Sequence, residues 1–433
     1  MTDQRHGLEF AERLAAFIDA SPSPYHVVAE VAERLIATGF TELDERDAFQ
    51  SVPVKGFARR GGSIHAWFMP PGAGPEVGFR VLGAHTDSPN LRVKPQPDTG
   101  RVGVRQLGVE VYGGALLNSW LDRDLGLSGR VYLETAAGTL EERLFLDSRP
   151  LARVAQLAIH LDREVNEKGV QLNRQSHLAP LWGLGDREHS GFRHYLAGRI
   201  GADEAAVRSF DVMFHDIQPS RVLGRDREFL AAPRLDNLCS CFCGLDALIA
   251  IAKRGEAAGP VVLALFDHEE VGSASRGGAA GPPLEHIMER LVLARGGGRE
   301  DLLRALAASF CVSADMAHAT HPNYVERHEP DHLVFMNRGP VLKVNQNQRY
   351  ATEALTAARF ESACRAAGAP MQSFVTRTDL GCGSTIGPLT ATRLGLPTVD
   401  VGVPQLSMHS SRELCGVLDP ALMTDTLEVL LRD

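Results

Sequence analysis

Four short apolar runs in this chain each lead to residues that bind divalent metals. Residues 79–84 precede His85-Thr86-Asp87, residues 261–266 precede Asp267-His268-Glu269-Glu270, residues 310–314 precede Asp315, and residues 398–403 lead to His409. Apolar runs of this length without alternation, bounded by turn residues, fit strands covered on both faces, as in a parallel sheet. Loops leaving the carboxyl edge of such a sheet converge, so the four runs deliver their polar ends to one place. The pattern predicts an α/β fold with a mixed, largely parallel sheet and a ligand cluster at one edge. Helical patterns at 284–293, 301–308, 351–367 and 419–431 alternate with the runs, which favours a sheet covered on both faces.

With 433 residues the chain can hold two or three domains of about 150 residues each. Its start reads as two amphipathic helices. The first carries Phe10, Leu14, Phe17 and Ile18 on one face; the second, after Ser21-Pro22-Ser23-Pro24, carries Val28, Val31 and Leu35. The texture then changes. Between about 92 and 233 apolar residues alternate with polar ones, as at Leu107, Val109 and Val111, which suggests half-exposed antiparallel strands. We expect residues 92–233 to form an inserted β-rich domain, with 1–91 and 234–433 making one discontinuous catalytic domain. The Gly- and His-rich stretch 184–194 reads as a loop of the insert. Residues 235–254 read as a helix opened by Asp236-Asn237 and closed by Gly255.

A net charge of −9 argues against a dedicated nucleic-acid or anionic-membrane binder. The first 20 residues lack the apolar core of a signal peptide, and no uncharged apolar stretch approaches the roughly 20 residues that cross a bilayer. The expected location is cytoplasmic. Seven scattered cysteines, an odd number, fit reduced thiols. Cys239, Cys241 and Cys243 resemble a metal cluster, but two residues of helix turn a side chain by about 200°, so the three cannot meet on one ion. They read as small buried residues.

The chemistry resides in the ligand-bearing ends. A carboxylate commonly orients a ligating histidine, and His85-x-Asp87 offers that pair; alone it would equally be a surface turn. In Asp267-His268-Glu269-Glu270 neighbouring side chains point different ways, so one carboxylate can hold metal while the next faces substrate. The alternative is a solvated acidic loop, in which three acids would repel one another. Asp236 is a natural N-cap and also a candidate bridging ligand, and both roles can coexist. Asp315 and His409 are each compatible with a turn residue and a satisfied core histidine. The set His85, Asp236, Glu270, Asp315 and His409 is nitrogen and oxygen only, which suits zinc, with manganese or cobalt as substitutes. The glycine-rich run 381–387 lacks the spacing of a P-loop or dinucleotide fold, and no GxSxG elbow is present.

Seven longer motifs carry a resemblance: HTDSP at 85–89, DNL at 236–238, DHEEVGS at 267–273, SADMAHA at 313–319, GPVLKVNQNQRY at 339–350, GSTIGP at 383–388 and PQLSMHS at 404–410. The chain resembles, almost end to end, the aspartyl aminopeptidases, dinuclear zinc exopeptidases that remove N-terminal Asp or Glu. The resemblance implies a zinc-exopeptidase-like catalytic domain with two zinc ions per subunit. His85 and Asp315 would hold one, Glu270 and His409 the other, and Asp236 would bridge them. Glu269 would be the general base and Asp87 would orient His85. His318, Lys343 and Tyr350 would contact a peptide with an acidic N-terminus. The insert would be an oligomerisation domain, with His160 reaching a neighbouring subunit's site in a tetrahedral homo-dodecamer. Two rival readings are a related dinuclear aminopeptidase or deacylase of different specificity, and a catalytically idle assembly or cargo-binding protein on the same fold.

Overall fold

The computed structural model describes residues 4–49, 52–186 and 191–433. The chain forms two compact units. Residues up to 87, 220–408 and 413–433 make the first; residues 88–219 and 409–412 make the second.

The first unit is built on a nine-stranded sheet in the spatial order Thr41–Glu42, Lys55–Arg60, Ser63–Phe68, Val261–Phe266, Arg80–His85, Phe310–Ala314, Thr398–Gly402, Val341–Val344 and Gln372–Val375. Four inner strands, from Val261–Phe266 to Thr398–Gly402, are mutually parallel, and antiparallel neighbours flank them. These four are the apolar runs of the sequence. Their lack of alternation follows from burial on both faces: Leu263 and Leu265 enter one core cluster, while Val262, Ala264 and Phe266 enter the other. Each such side chain, removed fully from water, contributes about 1.5–3 kcal/mol.

Helices Gln4–Ala20, Pro24–Ala37, Leu235–Arg254, Ala354–Ala367 and Asp419–Arg432 supply the first cluster with Phe10, Leu14, Val31, Leu248, Phe360 and Leu427. Helices Pro283–Ala294 and Arg299–Ala307 cover the other face with Leu284, Ile287, Met288 and Leu302. The alternation of helix and strand therefore gives the mixed α/β layers expected. Leu235–Arg254 is long and apolar enough to cross a membrane by length and composition, yet 83% of its most apolar stretch is buried inside the protein. Gly255 closes it in the left-handed region at φ 77°, a conformation glycine adopts at no steric cost.

The second unit is a six-stranded antiparallel sheet in the order Leu140–Ala152, Leu125–Glu134, Val207–Asp216, Asn90–Arg101, Val104–Tyr112 and Leu181–Leu184. Its alternation is that of a half-exposed strand: Leu107 and Val109 are buried while Glu110 is exposed. Within the stretch expected to be a loop, Leu184 ends a strand, residues 187–190 lie outside the described residues, and His194 belongs to the helix Phe192–Ile200.

The unit boundaries differ from the expected insertion at 92–233. Arg221–Leu223 and Phe229–Ala232 join Glu413–Gly416, Pro404–Leu406 and Ala317–His318 in a five-stranded sheet of the first unit. Residues 409–412 go to the second unit, where the Ser411 hydroxyl donates to the Ser119 carbonyl and Arg412 donates to the carbonyls of Gln218 and Pro219. Both assignments depend on partners about 200 to 300 positions away, which local composition does not reveal.

Candidate metal centre

Parallel register sets the centre up. Phe266 pairs with His85, and Ser313 pairs with Gly83, so the acidic turn after Phe266 and Asp315 both leave the sheet beside His85. His85 is buried, and its Nδ1 donates to the carbonyl of Asp87 at 2.9 Å. That bond assigns the proton to Nδ1 and leaves the Nε2 lone pair facing acids. Nε2 lies 3.3 Å from Asp236 Oδ1, 3.5 Å from Asp315 Oδ1 and 3.9 Å from Glu269 Oε2. His85, Asp236 and Glu270 bring ligand atoms within 4.8 Å of one another.

Asp87 orients His85 mainly through its backbone. Its carboxylate accepts the N–H of Glu269 at 3.0 Å and of Glu270 at 3.1 Å, with Oδ1 also 3.5 Å from His85 Nδ1. One buried aspartate thus clamps the imidazole and the following acidic turn together. His268 enters that turn at φ 66°, which lets the chain reverse into Glu269–Val271. Asp267 faces the other way: its backbone N–H donates to Ser63 Oγ, and its Oδ1 accepts from the N–H of His268.

At Asp236 and Asn237 the backbone is non-helical, with φ/ψ of −81°/105° and −122°/25°, so regular helix begins only after them. Asp236 N–H donates to Glu413 at 2.9 Å, and Asn237 Nδ2 donates to the Ala314 carbonyl at 2.8 Å, one residue before Asp315. Glu413 is buried, had no signal in the sequence, and comes from a strand of the five-stranded sheet. Cys241 Sγ donates to the His85 carbonyl, while Cys239 and Cys243, four residues apart, share the opposite side of the helix. The three thiols do not meet, and no thiolate enters the centre among the described residues.

On the other side of Asp315, Lys343 is buried with Nζ 3.6 Å from Asp315 Oδ2 and 3.1 Å from the Met316 carbonyl it donates to. Nζ also sits 5.1 Å from the Tyr350 ring centre, and Phe374 packs against both Tyr350 and His318. Burial raises the Tyr350 hydroxyl far above its ordinary range, with Cys382, Asp315 and Asp400 adding to it. His409, at φ 66°, has Nδ1 3.1 Å from the Gly114 carbonyl in the second unit. His160 occupies an exposed turn of that unit.

The electrostatics call for cations. Burial lowers the affinity of His85 for a proton, but Asp236, Asp315 and Asp87, with Glu269 beyond, overcome it and raise the pKa well above the ordinary value. Burial pushes Glu269 up to about 7; His85 opposes this while Asp315, Asp236 and Asp87 add to it. Two donors each about 2.0–2.1 Å from one tetrahedral zinc stand roughly 3.4 Å apart. The 3.3 Å and 3.5 Å separations around His85 Nε2 meet that condition, and the nitrogen and oxygen donors suit a borderline ion. The residues fit zinc.

A histidine and carboxylate cluster at the carboxyl edge of a parallel sheet, beside a carboxylate held near neutrality, defines a metal-dependent hydrolase. The family model described as "Aminopeptidase I zinc metalloprotease (M18)" matches residues 17–429. The chain is 51% identical over 421 residues to the "Probable M18 family aminopeptidase 2" of Streptomyces coelicolor, covering 97% of this chain and 96% of that one. It is 51% identical over 426 residues to the protein of the same name in Mycobacterium tuberculosis, covering 97% and 98%. Among solved structures, that of the Ape4 and Nbr1 complex aligns with a TM-score of 0.95 at 36% identity, over 99% of this chain and 87% of that one. The S. cerevisiae mApe1 dodecamer aligns at 0.84 and 28%, over 97% and 96%. The chain belongs to the M18 family of zinc metallo-aminopeptidases, which hydrolyse peptide bonds.

Proposed function

We propose that this aminopeptidase removes acidic residues, Asp or Glu, from peptide N-termini and uses two zinc ions per subunit. His85 and Asp315 would hold one ion, Glu270 and His409 the other, with Asp236 between them. The observation that carries this reading is the position of Asp236, 3.3 Å from His85 on one side and grouped with Glu270 within 4.8 Å on the other. When bound, zinc supplies the positive charge that acidifies water and polarises the scissile carbonyl, and manganese or cobalt can substitute.

The protein's own part is proton management and positioning. Glu269, tethered through its N–H to Asp87, takes a proton from the attacking water. The water oxygen bonds to the carbonyl carbon, the carbon–nitrogen bond breaks, and Glu269 delivers that proton to the departing amine. His318, Lys343 and Tyr350 are proposed to receive the first residue, with a Lys343 ammonium favouring an acidic side chain through a charge-assisted bond. Their convergence on Phe374 and Asp315 supports this. The second unit is proposed to build a homo-oligomer, as a tetrahedral dodecamer, with His160 reaching a neighbour's site; the similar mApe1 is itself a dodecamer. A cytoplasmic setting belongs to the proposal, supported by seven cysteines that are all free thiols.

The test is hydrolysis of Asp-, Glu-, Leu- and Lys-para-nitroanilide, with chelator and with zinc restored. Zinc-dependent cleavage confined to Asp and Glu is expected. Cleavage of Leu or Lys at equal efficiency would keep the chemistry and overturn the acidic pocket.

A further inference from the structure

The first unit has a cavity of about 620 Å³ at the amino ends of two of its strands, within the size range of small-molecule sites. Arg80 and Arg359 line it with Phe310, Ala363, Leu430 and Leu355. The floor is apolar and shielded: Phe310, Ala363 and Leu430 are 2%, 5% and 8% exposed, while Leu355 stands on the rim. Arg359 lies with its guanidinium carbon 5.3 Å from the Phe310 ring centre and has no ion-pair partner among the described residues. Arg80 donates to the main-chain oxygens of Asp433 at 3.1 Å and Gly78 at 3.5 Å.

Two cations therefore share one cavity whose lining holds one acidic side chain, that of Asp433. Their mutual cost is visible at Arg80, whose pKa burial lowers and Arg359 lowers further, with Asp433 opposing. A guanidinium pair over an apolar floor is matched by a ligand that brings an anionic head and an apolar body. We infer that this cavity is a second binding site, for a small organic anion joining a carboxylate or phosphate to an apolar group.

The site is separate from the metal centre. Arg80 and His85 are opposite ends of one six-residue strand, and Phe310 begins the strand that leads to Asp315. At about 3.3 Å per residue, five steps put roughly 16 Å between the two ends.

Isothermal titration of the zinc-loaded enzyme with octanoate, phenyl phosphate and neutral octanamide tests the inference. We expect at least one anion to bind once per subunit, and octanamide to bind at least tenfold more weakly than octanoate if the head is a carboxylate. Octanoate alone would assign a carboxylate head, phenyl phosphate alone a phosphate head. Arg359→Gln, on the exposed rim, should weaken binding at least tenfold, and Ala366→Trp should fill the cavity and abolish it, both with wild-type peptidase activity. No binding of either anion at millimolar concentration would overturn the site. Undiminished binding in Arg359→Gln would overturn it too, since the probe would then sit elsewhere, as at zinc.

Discussion

At the scale of single residues, Glu269, half-buried, and His65, fully buried, are two titratable groups with opposite tasks. Glu269 must give up its proton to act as base, so turnover should fall as pH drops through its pKa. The protein alone pushes that pKa to about 7, and bound zinc draws it lower, so the acid limb of kcat/KM is expected below pH 7. Glu269→Gln should lose about 10²- to 10⁴-fold in kcat with zinc content unchanged, because Asp87 holds the backbone N–H of Glu269 and not its side chain. Comparable turnover in that variant would remove Glu269 as the base. His65 is fully buried against Phe266, ring centres 5.4 Å apart, and burial lowers its pKa to about 3, with Arg60 adding to the shift. Its folded-state value lies below the unfolded 6.5, so its contribution to stability is complete above pH 6.5 and is lost as pH falls toward 3. Each fully unmatched proton costs about 1.4 kcal/mol per pH unit. His65→Gln, similar in size and without a titrating ring, should flatten the fall in Tm between pH 6.5 and 4; an unchanged slope would exonerate His65. These residues also mark how far the sequence speaks. His85, Asp87, Glu269 and Glu270 were legible because they directly follow apolar strands, whereas Glu413, which accepts from Asp236, sits 177 positions away in a segment with no local signal.

At the scale of elements, the metal centre depends on how closely two parallel strands approach. A Cβ built on Gly402 would lie 2.0 Å from the Asp315 carbonyl oxygen and 2.9 Å from Ala317 N, both backbone atoms that a rotamer change cannot relieve. Gly402→Ala must therefore push the Asp315 segment away, at an overpacking cost of about 1–3 kcal/mol. We expect a lower Tm together with weaker zinc binding by competitive chelator titration. Wild-type values for both would show that the backbone yields without moving Asp315. The strands and the helix ends closed by glycine were readable, since burial on both faces leaves continuous apolar runs and Gly255 ends its helix in the left-handed region, whereas Asp236 does not cap the helix start. Strand order was not. Nothing local in Phe229–Ala232 reveals that it pairs with Glu413–Gly416, because a pairing is a property of two segments at once.

At the scale of the whole molecule, the question is what a surface turn with apolar flanks is for. His160 lies among Leu157, Ile159 and Leu161, which are 58%, 49% and 75% exposed. An isolated exposed leucine needs no explanation, but a cluster around one histidine is the composition of a surface that another copy covers. If the turn docks against a second subunit, its apolar residues and its histidine should separate genetically. Leu161→Glu would place a charge in the contact, so both assembly and peptidase activity should fall. His160→Ala removes little apolar area, so native mass spectrometry should find the oligomer intact while kcat/KM drops at least tenfold. The two variants divide the outcomes: wild-type activity in an intact His160→Ala oligomer would leave the turn an assembly contact only. A Leu161→Glu protein that still assembles and cleaves normally would leave it outside the interface as well. The oligomer and the shared site are thus distinguishable parts of the proposal, since one depends on buried apolar area and the other on a single imidazole.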